Sequence, residues 1–369
     1  MKFTCNTKPL AEALDLGVIN ANVSNYHKKS NIVQLTATKT NLVINIESMD
    51  IKTEVTLKGS GDSDVTAKLF IGSLLFKNLV SSIDTNLVTL DFQENGLVLE
   101  AGKSKFTLPK ALDDSDIELD KPVLPDLSAT SIEIKQDDWR YIKNNQMYAI
   151  AMSFIHPVYT KVWVSDNNDA MVCDFDKSLF THSNKGSLPS TCLLSDSIVN
   201  LFLSIPDTTK LYKVDRDYLV LFDSDSYSYR TQFTPTYEED EGVGSYHAEI
   251  FLEKMDHSDN CIKVSASVVS KYLSQATLLS SSGDDAIQLT VEGSNLKLHD
   301  NNVDCNCQVE GSAAIPYSMK FNTETLRKVI SDYEDSTICI SLCAGEDGNE
   351  GIIIWNDSLT TLLGCLDEE

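Results

Sequence analysis

The chain reads as an α+β protein made of three similar domains, 1–124, 125–246 and 247–369. Three observations carry that reading. A helical apolar face returns in each third, a strand pair follows it each time, and acidic, turn-rich segments mark the joins.

In the first third, Leu10, Ala13 and Leu14 share one helix face, and LVINIE (42–47) alternates as the second strand of a hairpin. Phe76, Leu79, Val80 and Ile83 then stand at i, i+3, i+4 and i+7, which puts four apolar side chains on one side of a helix. Ser73 precedes them as an N-cap, because its hydroxyl suits an otherwise unpaired amide. The polar turn DTN leads into a strand pair, LVLEAGKSKFTL (97–108).

The middle third repeats the order. DDWRYIKNNQMYAIAM is a weaker helical stretch, AMVCDF (170–175) is the hairpin strand, and Ile198, Leu201, Phe202 and Ile205 form the apolar face behind Ser195 or Asp196. The turn PDTT and the pair LVLFDSDSYSY (219–229) follow. Ile83 to Ile205 and Leu97 to Leu219 are both shifts of 122 residues. In the last third, Val269, Tyr272, Leu273 and Ala276 share a face, and LKLHD (296–300) is the hairpin strand. Leu326, Val329, Ile330 and Tyr333 follow an Asn322 or Thr323 cap, 128 residues beyond the middle copy, and lead through EDST to IIIWNDSLTTLL (352–363). The joins, DDSDIELDKPVLPDLS (113–128) and TPTYEEDEGVGSY (234–246), read as solvated connectors.

Chemistry is sparse. No phosphate-binding loop, nucleophile elbow, HExxH or zinc spacing occurs, and the six histidines are scattered. His247 and His257, with Asp256, read as surface loop, and Asp174 and Asp176 beside Lys177 as an ordinary strand end. The chain is therefore expected to be no enzyme and to hold no metal or cofactor. Nine cysteines without a CxxC pair point to a reduced cytoplasmic compartment, and Cys305 and Cys307 lie too close for an ordinary bridge. No run of eighteen apolar residues suggests a membrane span, and MKFTCNTKPLAEAL does not read as a secretory leader.

With 55 acidic against 30 basic residues, the net charge of −25 argues against an open nucleic-acid binder, which needs a basic footprint. The few cations are therefore placed with care. They are His27, Lys28 and Lys29 after the first helix, Arg140 and Lys143 in the middle helix, Lys271 in the third, Lys103 and Lys105 in the first strand pair, and Arg327 and Lys328 beside Leu326.

The start MKFT, the pair LVLEAGKSKFTLPKAL and the threefold repeat together resemble the bacterial DNA sliding clamp, the beta subunit of DNA polymerase III, over essentially the whole chain. The resemblance implies the DNA clamp fold, with two βαβββ units per domain. Two chains would join head to tail into a ring with inner helices and outer sheets. It implies a processivity factor without catalytic activity, which encircles duplex DNA independently of sequence and tethers a DNA polymerase and other replication proteins after an ATP-driven clamp loader has closed it. Enclosure also reconciles the charge, since an acidic outside repels DNA while sparse inner cations attract it.

On this resemblance His27, Lys28 and Lys29 fall on a DNA-facing loop and His156 and Tyr159 on a second, with Arg140, Lys143 and Lys271 on inner helices. Phe106 and Leu108 would meet Leu278 and Leu279 of the next chain at the dimer interface. Tyr159, Leu179, Pro235, Leu362, Leu363 and Leu366 would line a pocket for partner peptides. The chain departs from the family where an Asp-Gly-His-Arg-Leu loop becomes Phe175-Asp176-Lys177-Ser178-Leu179, and where LLGCLDEE replaces a Met-Pro-Met ending. Such departures suit a phage- or plasmid-encoded clamp acting in a bacterial cytoplasm. The alternatives are a three-repeat protein-binding scaffold that never encircles DNA, and an enzyme with an interdomain cleft.

Overall fold

The computed structural model describes residues 1–18, 32–48, 50–111, 119–123, 130–151, 157–174, 177–186, 188–206, 209–240, 246–255, 261–279, 286–300, 304–333, 336–345 and 348–366. The first third runs β1 (Lys2–Asn6), α1 (Thr7–Val18), β2 (Ile32–Ala37), β3 (Asn41–Glu47), β4 (Ile51–Lys58), β5 (Ser60–Gly61), β6 (Ala67–Gly72), α2 (Ser73–Ser81), β7 (Leu87–Gln93), β8 (Gly96–Ala101) and β9 (Ser104–Pro109). The middle third supplies α3 (Gln136–Asn145), β10 (Val162–Val164), β11 (Ala170–Asp174), β12 (Leu179–Ser183), β13 (Cys192–Leu194), α4 (Asp196–Ser204), β14 (Lys210–Val214), β15 (Asp217–Asp223) and β16 (Tyr227–Phe233). The last third adds α5 (Ala248–Lys254), β17 (Cys261–Ser265), α6 (Ala266–Leu279), β18 (Ala286–His299), β19 (Asp304–Asn322), α7 (Thr323–Ser331), β20 (Thr337–Gly345), β21 (Gly348–Trp355) and β22 (Leu359–Gly364).

These elements gather into two compact units, Met1–Gln136 with Leu194–Pro235, and Asp137–Leu193 with Thr236–Glu369. The first unit carries a five-stranded sheet, β5-β1-β7-β8-β9, and a seven-stranded one, β14-β15-β16-β4-β3-β2-β6. Its helices bury the faces that the sequence marks: Leu10, Ala13 and Leu14 on α1, Phe76 and Val80 on α2, Ile198, Leu201 and Phe202 on α4. Each fully buried leucine or phenylalanine stabilises the fold by about 1.5–3 kcal/mol relative to exposure. Within this unit the middle third's last strand, β16, pairs with β4 of the first third, from Tyr227↔Leu57 to Phe233↔Ile51. At that junction the Thr53 and Thr231 hydroxyls bond each other at 2.9 Å in the interior.

The second unit carries the ten-stranded sheet, β13-β10-β11-β12-β22-β21-β20-β17-β19-β18. Here β22, the last third's final strand, pairs with β12, setting Leu179 opposite Leu363 and Phe180 opposite Leu362. β12 is the third strand after α3, as β4 is after α1. One rule thus operates twice: the last strand of each later third completes the sheet begun in the third before it. Gln146 is fully buried and fixes the end of α3, donating to the Ala170 carbonyl at 3.2 Å and accepting from Ser183 at 2.8 Å.

Several local expectations need correction. Ser73 is the first helical residue of α2, with Gly72 as its cap, and neither Gly72 nor Ser195 caps through a side chain. Asn322 does, accepting from the Thr325 amide at 2.9 Å. The middle helical stretch stops at Asn145 and resumes as a single 3₁₀ turn, Met147–Ala149. LKLHD does not return from a hairpin turn at 292–295. Instead β18 runs on through that segment, with register shifts around Gly293, and pairs with β19 along both halves. Gly293 takes φ 58°, which lets the strand bulge and continue where an ordinary residue would be strained.

Candidate functional site

The second unit holds a cavity of about 750 Å³ where β12, β22 and α7 meet. Strand pairing builds its floor. Leu179 and Leu363 face each other across β12 and β22, so both side chains leave the sheet on the same side. Beyond β22, Leu366 stays 43% exposed at the cavity mouth, its backbone amide donating to the Lys320 carbonyl at 2.8 Å. Gly364 donates to the Ser178 carbonyl at 2.8 Å, and Ser178 sits at φ 47°, a left-handed conformation that costs about 1 kcal/mol for a side-chain-bearing residue. This kink turns Lys177 and Leu179 in different directions: Lys177 is exposed and bonds Asp174 at 2.6 Å, while Leu179 is buried.

The opposite wall comes from α7. The Asn322 cap sets the helix phase, so Leu326, Val329 and Ile330 go into the core. Glu324, Thr325, Arg327 and Lys328 then line the cavity. Lys328 lies 3.7 Å from Asp332 and 5.3 Å from the centre of the Tyr148 ring, another lining residue. Burial and then the Asp332 carboxylate hold the Tyr148 phenol well above its ordinary range, so it stays protonated. The same two causes push the Tyr141 phenol up to about 12. An apolar floor with a polar and cationic rim suits an extended peptide with apolar anchors.

The expected pocket residues divide. Leu179, Leu363 and Leu366 line this cavity. Tyr159 and Leu362 belong to a buried cluster with Trp163, Met171, Phe180, Tyr246 and Phe251, where Leu362 stands opposite Phe180 on the other face of the sheet. Tyr159 meets the Tyr246 ring edge-on at 5.3 Å, and its burial raises the phenol's pKa. Pro235 is buried at the end of the first unit.

Of the residues expected to face DNA, His27, Lys28, Lys29 and His156 lie outside the described residues. Tyr159 is packed in the core as above. Arg140 is exposed and pairs with Asp137, Lys143 is half-exposed in the last turn of α3, and Lys271 is exposed on α6. Among the expected interface residues, Leu278 is 83% exposed, Phe106 half-buried, and Leu108 buried within its own unit at 4% exposure. Leu279 ends α6, and its side chain lies outside the described residues. Arg327 and Lys328, noted in the sequence without a site, prove to line the cavity.

Among the described residues no group of His, Cys, Asp and Glu is placed to hold a metal, and no helix is long and apolar enough to cross a membrane.

No family profile and no curated protein sequence matches the chain. Solved structures do, end to end. The DNA polymerase III beta subunit of Thermotoga maritima superposes with a TM-score of 0.76 at 13% identity, covering 100% of both chains. The fold is that of the bacterial sliding clamps. A putative DNA polymerase III beta subunit from Eubacterium rectale gives 0.77 at 12% identity, and the DNA polymerase sliding clamp of Caulobacter crescentus 0.74 at 17%, each again over 100% of both chains. The sliding-clamp fold therefore accounts for the whole length.

Proposed function

We propose that this chain is a sliding clamp, a processivity factor that encircles duplex DNA as a head-to-tail homodimer and tethers a DNA polymerase after a clamp loader has closed the ring. The three domains, 1–124, 125–246 and 247–369, are the repeats of that ring. The observation that carries the proposal is the strand rule. β16 completes the sheet of β4, and β22 completes that of β12. The corresponding strand of the last third is the first half of β19, paired with β18 on one edge and, over Asp304–Gln308, with no strand on the other among the described residues. The unused last strand is β9, paired with β8 alone and edging its sheet. Applied a third time, the rule joins β9 of one copy to Asp304–Gln308 of the next, and two copies close. Two open edges on one chain are otherwise an aggregation hazard. In such a ring exposed Leu278 and half-buried Phe106 would supply apolar surface at the seam.

Phosphate contact in such a ring stays weak and independent of sequence. Arg140, Lys143 and Lys271 are its candidate contacts among the described residues, with His27, Lys28, Lys29 and His156 in the segments beyond them. The cavity of Leu179, Leu363 and Leu366 receives partner peptides, and the protein carries out no chemistry of its own. A bacterial cytoplasm, that of a host in the case of a phage-encoded clamp, is the setting that contains such partners.

A scaffold that never encloses DNA is the second reading. It is favoured by α2, which exposes Leu74 and Leu75 and pairs its Lys77 with Asp15. Retention on circular DNA separates the two. With its loader, the chain should stay on a nicked circle through gel filtration and leave when a restriction enzyme opens the circle. Equal retention on linear DNA would refute topological tethering.

A further inference from the structure

Cys305 and Cys307 stand two apart on the first half of β19, so both side chains leave the strand on the same face. Their thiols are free, buried at 5% and 6% exposure, and the sulfurs lie 3.5 Å apart. On β18 they are paired with Leu298 and Leu296, and the Tyr272 hydroxyl of α6 hydrogen-bonds the Cys305 thiol. Burial, and then its hydrogen bond with Cys305, push the Cys307 thiol up to about 12, so it is protonated and inert while the strand is seated. The strand itself is held from one side. Over Asp304–Gln308 its other edge meets no strand among the described residues, and such an edge opens more easily than a strand paired on both sides.

We propose that Cys305 and Cys307 form an oxidant-sensitive dithiol, whose conversion to a disulfide blocks ring closure at this edge. The proposal rests on the seam of the proposed clamp, and adds how its closing is regulated. The oxidant is a peroxide. One sulfur of the opened strand takes an oxygen from it and becomes a sulfenic acid, with release of one water. The other sulfur attacks the first, the S–O bond breaks, the S–S bond forms, and a second water carries off the thiol proton. The sulfurs together lose two electrons and the peroxide gains them. Two residues span about 6.6–6.8 Å along a strand, whereas bridged Cα atoms prefer about 5.5–6 Å. The bond therefore shortens the strand by about 1 Å and pulls the pleat out of line at Asn306. That spoils the row of amides and carbonyls which β9 of the next copy would pair with. Tyr272 ties the same event to α6, the helix that carries exposed Leu278. A strained disulfide is easily reduced, which makes the change reversible.

The test treats the full-length chain with hydrogen peroxide. Light scattering over a dilution series follows assembly, and mass spectrometry follows the tryptic peptide 298–320, which holds these two cysteines and no other. The peptide should lose two hydrogens while the dimer dissociation constant rises about tenfold or more, and dithiothreitol should restore both. Cys305→Ala/Cys307→Ala should dimerise and ignore the peroxide. Even if that variant folds poorly, the unaltered chain decides the matter, because its dimer fraction must fall in step with the bridged peptide. A fully bridged peptide with dimerisation intact would overturn the switch and leave the ring standing. So would peroxide treatment that never bridges this peptide. Loss of dimers in the variant as well would trace the effect to other thiols and overturn the switch too. A chain that is monomeric in dithiothreitol would overturn the ring reading itself, and the switch with it.

Discussion

Gly364 shows how tightly single positions are specified. A Cβ there would sit 2.4 Å from that of Ser178, the left-handed residue just before β12. Gly364→Ala should therefore destabilise the protein by about 1–3 kcal/mol, the usual cost of overpacking. A lower urea midpoint with unchanged slope would report it, and an unshifted midpoint would show that the strands can part. Gly96 and Gly351 face a similar limit: a Cβ on either would lie 2.1 Å from a carbonyl oxygen of the paired strand, that of Leu108 or Leu363. These glycines open the strand pairs LVLE and IIIW, so repetition of the hairpin extends to its tightest contact, except in the middle copy, where Tyr218 follows Asp217 instead. Their role was not legible beforehand. A glycine in a strand signals a close approach but not what approaches. Tyr159 illustrates the opposite difficulty: an aromatic side chain serves a groove or a core equally well, and only the folded chain, which packs residues 157–160 against β11, puts it among Trp163, Tyr246 and Phe251.

Elements were the most legible level, for a physical reason. A helix with a buried face must repeat its apolar residues every third and fourth position, so α2, α4 and α7 could be located from spacing. Caps were less certain, because serine or glycine can precede a helix with or without a side-chain bond. Glu292-Gly293-Ser294-Asn295 has the chemistry of a hairpin turn yet lies inside β18, because whether such a segment turns or bulges depends on which strand comes alongside. The cavity wall was illegible for the same reason, since α7 and the end of β22 meet only in the folded chain. The β4–β16 junction gives a test at this scale. Thr53→Val or Thr231→Val alone removes one hydroxyl and leaves its buried partner unpaired, at a cost of about 1–3 kcal/mol. The double variant should cost clearly less than the sum of the two. Strict additivity in a double-mutant cycle would mean that the hydroxyls do not interact.

Over the whole molecule, several phenols are held protonated by burial, among them Tyr148, Tyr229, Tyr246 and Tyr333. Their folded pKa values are raised above the unfolded value of about 10. Below that value both states keep the proton and the phenols leave stability unaffected. Above it the unfolded chain ionises first, so stability falls as pH rises, by up to about 1.4 kcal/mol per pH unit for each phenol. The urea midpoint should therefore begin to fall above about pH 8.5, where the thiols of Cys5 and Cys173, also raised by burial, ionise first in the unfolded chain, and drop steeply past pH 10, with absorbance of the buried tyrosinates appearing together with unfolding. Absorbance rising well before unfolding would show these phenols to be accessible. Assembly offers another test. Leu278→Asp sets a carboxylate into the proposed seam, where ionisation without a partner is costly. Light scattering should then find soluble monomers, whereas persistent dimers would place the seam elsewhere.

The pairing of β16 with β4 also bears on time. Thr53 and Thr231 are 178 residues apart, so a ribosome adding about 5–20 residues per second leaves β4 waiting about ten to forty seconds for its neighbour. During synthesis the first third is thus a half-finished sheet with an open edge, and nascent chains on one messenger are each other's nearest substitutes for the missing strand. Slowing translation between residues 60 and 226 should increase aggregation, and supplying residues 210–233 as a separate peptide should relieve it.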